Sequence, residues 1–263
     1  MELYYIIRLG DRMKALITGA SSGIGADMAR ILSSKGYDLI LVARDKKKME
    51  MLKEELNTNV KIISLDLAST FNCMKLYNKV KKEDIDILVN NAGFGMFGEF
   101  INSSLEKETD MIDVNIKAVH SLTKVFLQDF KKKNKGYILN VASSAAFCPG
   151  PLMATYYATK AYVLHLTEAI YEELRHDKSK VYIGCLCPGP VNTNFNNVAN
   201  VSFSVKALES YDVANYAIES MFKRKLIIIP GFLMKMNYVF NRFLPIKSLL
   251  KIVYKIQRSK REN

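Results

Sequence analysis

Lys14-Ala15-Leu16-Ile17-Thr18-Gly19-Ala20-Ser21-Ser22-Gly23-Ile24-Gly25 decides the fold. The first five residues read as a short buried strand, and the next seven as a turn of small residues. Ala26 to Ser34 then reads as a helix, with Met28, Ala29, Ile31 and Leu32 as its apolar contacts. A strand that turns through glycines into a helix aims the helix N-terminus at the turn. Free N–H groups and the positive end of the dipole make that a phosphate site. Gly19 permits the sharp turn, Gly23 lets a pyrophosphate approach the backbone, and Gly25 allows close helix–strand packing. The spacing is G-x-x-x-G-x-G rather than G-x-G-x-x-G, and taken alone the stretch also reads as a plain loop.

The rest of the chain repeats the alternation. Further strands are expected at Asp38–Ala43, Val60–Leu65, Ile85–Val89, Tyr137–Val141, Val181–Leu186 and Leu226–Ile229. Helices are expected at Lys46–Leu56, Ser69–Lys81, across 104–132, at Thr155–Arg175 and at Tyr211–Met221. Short strands that are apolar on both faces and separated by helices predict a seven-stranded parallel sheet covered on both sides. The fold class is therefore α/β, a single doubly wound Rossmann-like domain, with ligands at the carboxyl ends of the strands. Residues 13–230 are expected to form this dinucleotide-binding catalytic domain. Residues 1–12 read as an N-terminal extension, and 231–263 as a separate tail.

Composition limits the function classes. At 263 residues and 49% hydrophobic, the chain can build one large core. Its four cysteines form no disulfide framework. Cys73 and Cys148 stand alone, and Cys185-Leu186-Cys187 has the wrong spacing for a zinc or redox pair, so no metal is expected. Buried thiols in a reducing compartment predict a cytoplasmic protein. No apolar run reaches the ~18 residues of a membrane span. Of the net charge of +12, ten units lie in residues 223–263, where eleven Lys or Arg face one acid, Glu262. A nearly neutral body argues against nucleic acid as a partner.

Polar residues mark the strand ends. Arg44 follows the second strand, where a dinucleotide's adenine ribose lies. A guanidinium there favours the 2′-phosphate of NADP, although the adjacent Asp45 is acidic. Asp66-Leu67 ends the third strand; the acid can meet the adenine amine or cap the next segment. Asn90-Asn91-Ala92-Gly93 ends the fourth and either approaches a cofactor ribose or forms an ordinary turn. Asn115 interrupts an otherwise apolar helical pattern.

The fifth strand leads into Ser143, and thirteen residues later comes Tyr156, followed by Lys160. Four residues apart on a helix, these two share a face. A free phenol has a pKa near ~10. An ammonium one turn away stabilises the phenolate, as proton transfer to or from a carbonyl oxygen requires. The Ser143 hydroxyl can hold the same oxygen. By itself Tyr156-x-x-x-Lys160 also reads as a surface pair.

Together, Thr18-Gly19-Ala20-Ser21-Ser22-Gly23-Ile24-Gly25, Asn90-Asn91-Ala92-Gly93, Asn115, Ser143, Tyr156-x-x-x-Lys160 and Pro188-Gly189-Pro190-Val191-x-Thr193 resemble the short-chain dehydrogenase/reductase family in its single-domain form. The likeness covers about residues 13–230 in the family's order and spacing. It implies that Tyr156 is the general acid/base and that Lys160 lowers its pKa and binds the nicotinamide ribose. Ser143 would polarise the carbonyl, and Asn115 would hold a water linking Lys160 to solvent. Asn91 and the glycine turn would contact NADP(H), with Ser22 and Arg44 flanking the 2′-phosphate and Thr193 at the nicotinamide end. The wording around Ser143 and Tyr156 is similar to a branch of bacterial reductases of mostly unknown substrate, related to hydroxysteroid dehydrogenases and 3-ketoacyl reductases. The implied activity is NADP-dependent hydride transfer between nicotinamide and a carbonyl or alcohol. A non-catalytic dinucleotide-binding regulator of the same fold is the alternative. Helices 115–132 and 155–176 resemble the family's oligomer interface, implying a homodimer or homotetramer.

Residues 190–208 read as a polar-aromatic lid containing Asn192, Asn194, Asn196, Asn197, Asn200, Phe195 and Phe203. Phe94, Phe97, Phe147, Met153 and Tyr157 are candidate walls for an apolar substrate, or ordinary core. In the tail, Lys247, Lys251, Lys255 and Arg258 recur at helical spacing opposite Leu249, Leu250, Ile252, Val253 and Ile256. Such a basic amphipathic helix either makes peripheral contact with an anionic membrane, or shields a lipophilic entrance, or packs on its own domain or a partner subunit.

Overall fold

A computed structural model describes residues 13–195, 199, 207–241 and 243–259. The extension at 1–12 and the lid residues Asn196, Asn197, Asn200 and Phe203 lie outside the described residues. The chain runs β1 (Lys14–Thr18), α1 (Gly23–Ser34), β2 (Asp38–Ala43), α2 (Lys46–Glu54), β3 (Val60–Ser64), α3 (Thr70–Val80) and β4 (Ile85–Asn90). Then follow α4 (Leu105–Ile112), a π-helical segment (Asp113–Ala118), α5 (Val119–Lys133), β5 (Tyr137–Val141), α6 (Ala154–His176) and β6 (Tyr182–Leu186). After β7 (Val191–Asn192) and β8 (Leu208–Glu209) come α7 (Ser210–Phe222), β9 (Ile227–Ile228), α8 (Phe232–Phe240) and α9 (Ile246–Arg258).

Seven strands form one sheet in the order β3-β2-β1-β4-β5-β6-β9, and every pairing is parallel. Alternation along the strands feeds two cores. Ala15 and Ile17 of β1 and Leu39 and Leu41 of β2 pack with Met28 and Leu32 of α1, Met49 of α2 and Val213 and Ile218 of α7. Leu16, Ile40 and Val42 face the other way, onto Leu76 of α3, Phe126 of α5 and Leu174 of α6. Apolar residues on both strand faces thus reflect burial on both sides. The seventh strand is shorter than expected, with Cys185 and Leu186 as its only ladder partners.

Strand order reverses at β1, which lies between β2 and β4. The crossovers leave β1 in opposite directions, so a crevice opens at the carboxyl ends of β1 and β4. Past the sheet, α9 turns Leu249 and Gln257 inward, while Ile246, Ile252 and Ile256 are exposed.

Candidate active site

The glycine turn is locked to the end of β4. Gly19 has φ +65°, open to glycine at little cost. A Cβ on Gly25 would lie 2.4 Å from Gly19 O and 2.5 Å from Asn91 Nδ2. Asn91 Nδ2 donates to Thr18 O and Gly19 O, each at 3.1 Å. Thr18 Oγ1 accepts from Asn91 N at 3.0 Å and Ala92 N at 3.1 Å. Ser22 occupies the N-cap of α1 without a side-chain bond to the helix, leaving first-turn amides for a ligand's phosphate. Ser21 and Ile24 flank the turn half-buried. Thr193 lies over it: a Cβ on Gly23 would come within 2.9 Å of Thr193 Cγ2. Glycine at 19 and 25 lets the turn close against itself and the end of β4, and the first-turn amides of α1 that the turn presents fit the pyrophosphate of a dinucleotide.

At the end of β2, the Arg44 guanidinium is exposed and has no hydrogen-bond or ion-pair partner among the described residues. Its carbonyl accepts from Ser64 Oγ at 3.0 Å. Asp45 is engaged elsewhere. It caps α2 by accepting from Lys48 N at 3.1 Å, and that bond holds its carboxyl below the usual range. Asp66 accepts from Ala68 N at 2.9 Å and so stabilises its own turn, while Leu67 is core.

Asn115 lies in the π-helical segment and is fully buried. Its Oδ1 accepts from Phe94 N at 3.1 Å; its Nδ2 donates to Phe94 O at 2.9 Å and Thr159 Oγ1 at 3.0 Å. The backbone after β4 is thereby clamped to α6. A Cβ on Gly93 would lie 2.9 Å from Asn115 Oδ1 and 3.3 Å from Lys160 Nζ, so these atoms border the same small space.

Ser143 starts a 3-10 turn, with Oγ accepting from Ala145 N at 3.1 Å. Ser144 N donates to Pro188 O at 2.8 Å, tying this loop to the end of β6. Tyr156 and Lys160 project inward from α6, only 8% and 5% exposed. Lys160 Nζ donates to Val141 O at 3.0 Å and lies 5.8 Å from the centre of the Tyr156 ring. Burial pushes the Tyr156 hydroxyl up to about 12, with a hydrogen bond from Ser143 opposing it. Burial likewise pushes Lys160 down to about 8. The lysine was expected to make the phenol more acidic. In the structure burial is the dominant influence on the Tyr156 hydroxyl.

Tyr156 packs with Phe94, Phe97, Met153, Tyr157 and Phe195 in one apolar cluster. Phe147 belongs elsewhere: its ring meets Tyr238 of α8 at 4.6 Å between centroids. Gly189 abuts the same tail, since a Cβ there would lie 2.7 Å from Met234 Sδ. Val191 is buried.

This arrangement has known counterparts. Residues 13–202 match the model of the short chain dehydrogenases. The chain belongs to the short-chain dehydrogenase/reductase family. It is 32% identical over 209 residues to an uncharacterized oxidoreductase of Staphylococcus epidermidis, covering 79% of this chain and 90% of that one. A short-chain dehydrogenase from Sphingobium yanoikuyae in complex with NADPH superposes with TM-score 0.78 at 28% identity, over 89% of this chain and 96% of that one. A family member from Burkholderia phymatum in complex with NAD gives TM-score 0.78 at 25% identity, over 87% and 92%. Membership makes this chain a nicotinamide-dependent oxidoreductase.

Three features of this family member escape a reading of the sequence. Asn90 Nδ2 donates to Asn140 Oδ1 at 2.9 Å, and Asn140 Nδ2 to Thr167 Oγ1 at 3.0 Å, a buried polar chain across the sheet. Asparagines at the ends of two apolar strands were its only visible signal. Gly95 leaves room for Tyr156 and Phe195, since a Cβ would lie 3.1 Å and 2.7 Å from them. Gln257 reaches Tyr157, a pairing across a hundred residues with no local pattern.

Proposed function

We propose that the protein is an NADP(H)-dependent reductase of apolar carbonyl compounds, with residues 13–230 as catalytic body and 231–263 as tail. The observation that carries this is the grouping of half-buried Ser143 with buried Tyr156 and Lys160 beside an apolar cluster at the carboxyl edge of the sheet. When bound, the nicotinamide supplies the hydride. Tyr156, neutral at physiological pH, gives its phenolic proton to the carbonyl oxygen as negative charge develops there. Ser143 donates a hydrogen bond to the same oxygen. Lys160 bonds the nicotinamide ribose, and Asn115, bordering the same space, holds the water that connects it to solvent. The glycine turn receives the pyrophosphate, Ser22 and Arg44 the 2′-phosphate, Asp66 and Leu67 the adenine, Asn91 to Gly93 a ribose, and Pro188 to Thr193 the nicotinamide end. The free Arg44 guanidinium and the engaged Asp45 support NADP over NAD.

NADPH oxidation against a panel of ketones, aldehydes and acyl thioesters tests this, with Tyr156→Phe as control. Equal rates for wild type and variant on a reduced substrate overturn the assignment.

The described tail residues suit peripheral contact with an anionic membrane. Phe232, Leu233, Phe240, Phe243, Ile252 and Ile256 are exposed beside Lys247, Lys251, Lys255 and Arg258. No described helix is long and apolar enough to cross a membrane. Flotation with anionic vesicles, compared with a variant bearing Glu at those four cations, decides this; equal partition ends it. Four free thiols fit a cytoplasmic location. The outer faces of α5 and α6, where His120 meets the exposed Tyr162, are the proposed homo-oligomer contact, checked by light scattering.

A further inference from the structure

The inner arc of α9 carries Leu249, Leu250 and Val253, and Gln257 falls on that same arc. A carboxamide within an apolar face calls for a reason. Gln257 is 1% exposed, and its Nε2 donates to the hydroxyl of Tyr157. Its Oε1 is buried with no partner among the described residues. Native proteins rarely leave a buried acceptor unpaired.

Tyr157 follows the catalytic tyrosine. The two rings meet edge to face, 6.2 Å apart at 76°. Tyr157 is half-buried and packs with Phe94, Met153 and Phe195 in the cluster around Tyr156. Because Gln257 donates to its oxygen, the phenolic proton of Tyr157 points to some other acceptor, and none exists among the described residues. One unused donor and one unused acceptor therefore sit side by side on an apolar wall, one residue from the proton donor. A hydroxyl is the small group that satisfies both at a single atom.

We propose that Gln257 and Tyr157 form a specificity-determining pair that reads a hydroxyl carried by the apolar carbonyl substrate at a distance from its reacting carbon. The proposal rests on the reductase reading and extends it to the substrate's second functional group. The pair touches substrate away from the reacting atoms and takes no part in proton or hydride transfer. It also makes the tail part of the substrate site.

The test compares a bicyclic ketone, decalone, with its ring-hydroxylated counterpart, on full-length protein with NADPH. Binding is measured by thermal shift and turnover by NADPH oxidation. Wild type is expected to prefer the hydroxylated ketone by about tenfold, in affinity and in kcat/KM, with the difference carried by KM. Gln257→Leu and Tyr157→Phe should each bring that ratio to within about twofold, and combining them should bring no further change, as for two members of one site. A merely structural role would weaken both ketones alike and leave the ratio intact. Should Gln257→Leu fail to fold, Tyr157→Phe, which removes only a hydroxyl, still decides. Equal treatment of the two ketones by wild type, binding of neither, or an unchanged ratio in Tyr157→Phe overturns the pair. Selective binding through Gln257 without turnover of either ketone would instead overturn the reductase reading and leave the pair standing.

Discussion

Arg44→Ala measures the cofactor reading directly. The guanidinium follows β2, is exposed and has no partner among the described residues, so its removal breaks no internal contact. A charge-assisted hydrogen bond to phosphate is worth about 1.5–3 kcal/mol, and each ~1.4 kcal/mol is tenfold. Exposure screens the pair, which selects the lower half of that range. KM for NADPH should rise about 10- to 40-fold, while KM for NADH stays within about twofold and kcat is unchanged. The NADPH effect should shrink as salt increases, since the lost interaction is electrostatic. Initial rates at a fixed carbonyl concentration, together with NADPH fluorescence titration, give both constants. Asp45→Ala is the companion. It removes the cap of α2 and should lower stability slightly, leaving the NADPH-to-NADH ratio where it was. Equal changes for both cofactors in Arg44→Ala, or a shifted ratio in Asp45→Ala, would show that Arg44 does not hold the 2′-phosphate.

Other consequences follow from the buried site. Tyr156→Phe should lower kcat about 10²- to 10⁴-fold with NADPH affinity retained, measured by single-turnover oxidation and fluorescence titration. Lys160 titrates at about 8 in the folded protein against an ordinary 10.5, so the unfolded chain holds the extra proton between those values. Its contribution to stability therefore rises with pH through that window, and urea midpoints of Lys160→Met should lack the rise. Tyr156, raised from 10.0 to about 12, acts in the opposite sense: the folded state keeps the proton longer, and stability falls as pH climbs through that interval. Asn140→Ala removes one of two partners from Asn90 Nδ2, which keeps Thr123 Oγ1, and the donor to Thr167 Oγ1, which keeps Val163 O, and should cost about 1–3 kcal/mol by urea denaturation.

What could be read from the sequence follows from how locally each feature is encoded. The seven strands were visible because Ala15-Leu16-Ile17 or Leu39-Ile40-Leu41 is apolar on both faces, which only a doubly covered sheet requires. Helical spacing puts Tyr156 and Lys160 on one face, but only the family resemblance distinguished them from a surface pair. Asn115 was visible as an oddity, but its setting was not. A π-helical segment is a change of hydrogen-bond register without a residue signature, and here it accompanies a clamp on the backbone of Phe94. The weight of burial on Tyr156 was hidden for a related reason. Spacing gives proximity, whereas desolvation depends on what the rest of the chain packs around the pair. The tail was legible as a basic amphipathic helix, yet Tyr238 on Phe147 and Gln257 on Tyr157 join residues ninety or more positions apart.

The raised phenol bears on the direction of the chemistry. At neutral pH a hydroxyl raised to about 12 stays protonated, and under the proposed reductase role that is the proton Tyr156 gives to the carbonyl oxygen. Alcohol oxidation would need the phenolate, which this degree of burial opposes. Ser143 works with the same asymmetry: its hydrogen bond favours the phenolate, opposing burial, but does not overcome it. A protonated Tyr156 is thus consistent with the proposed reductase role.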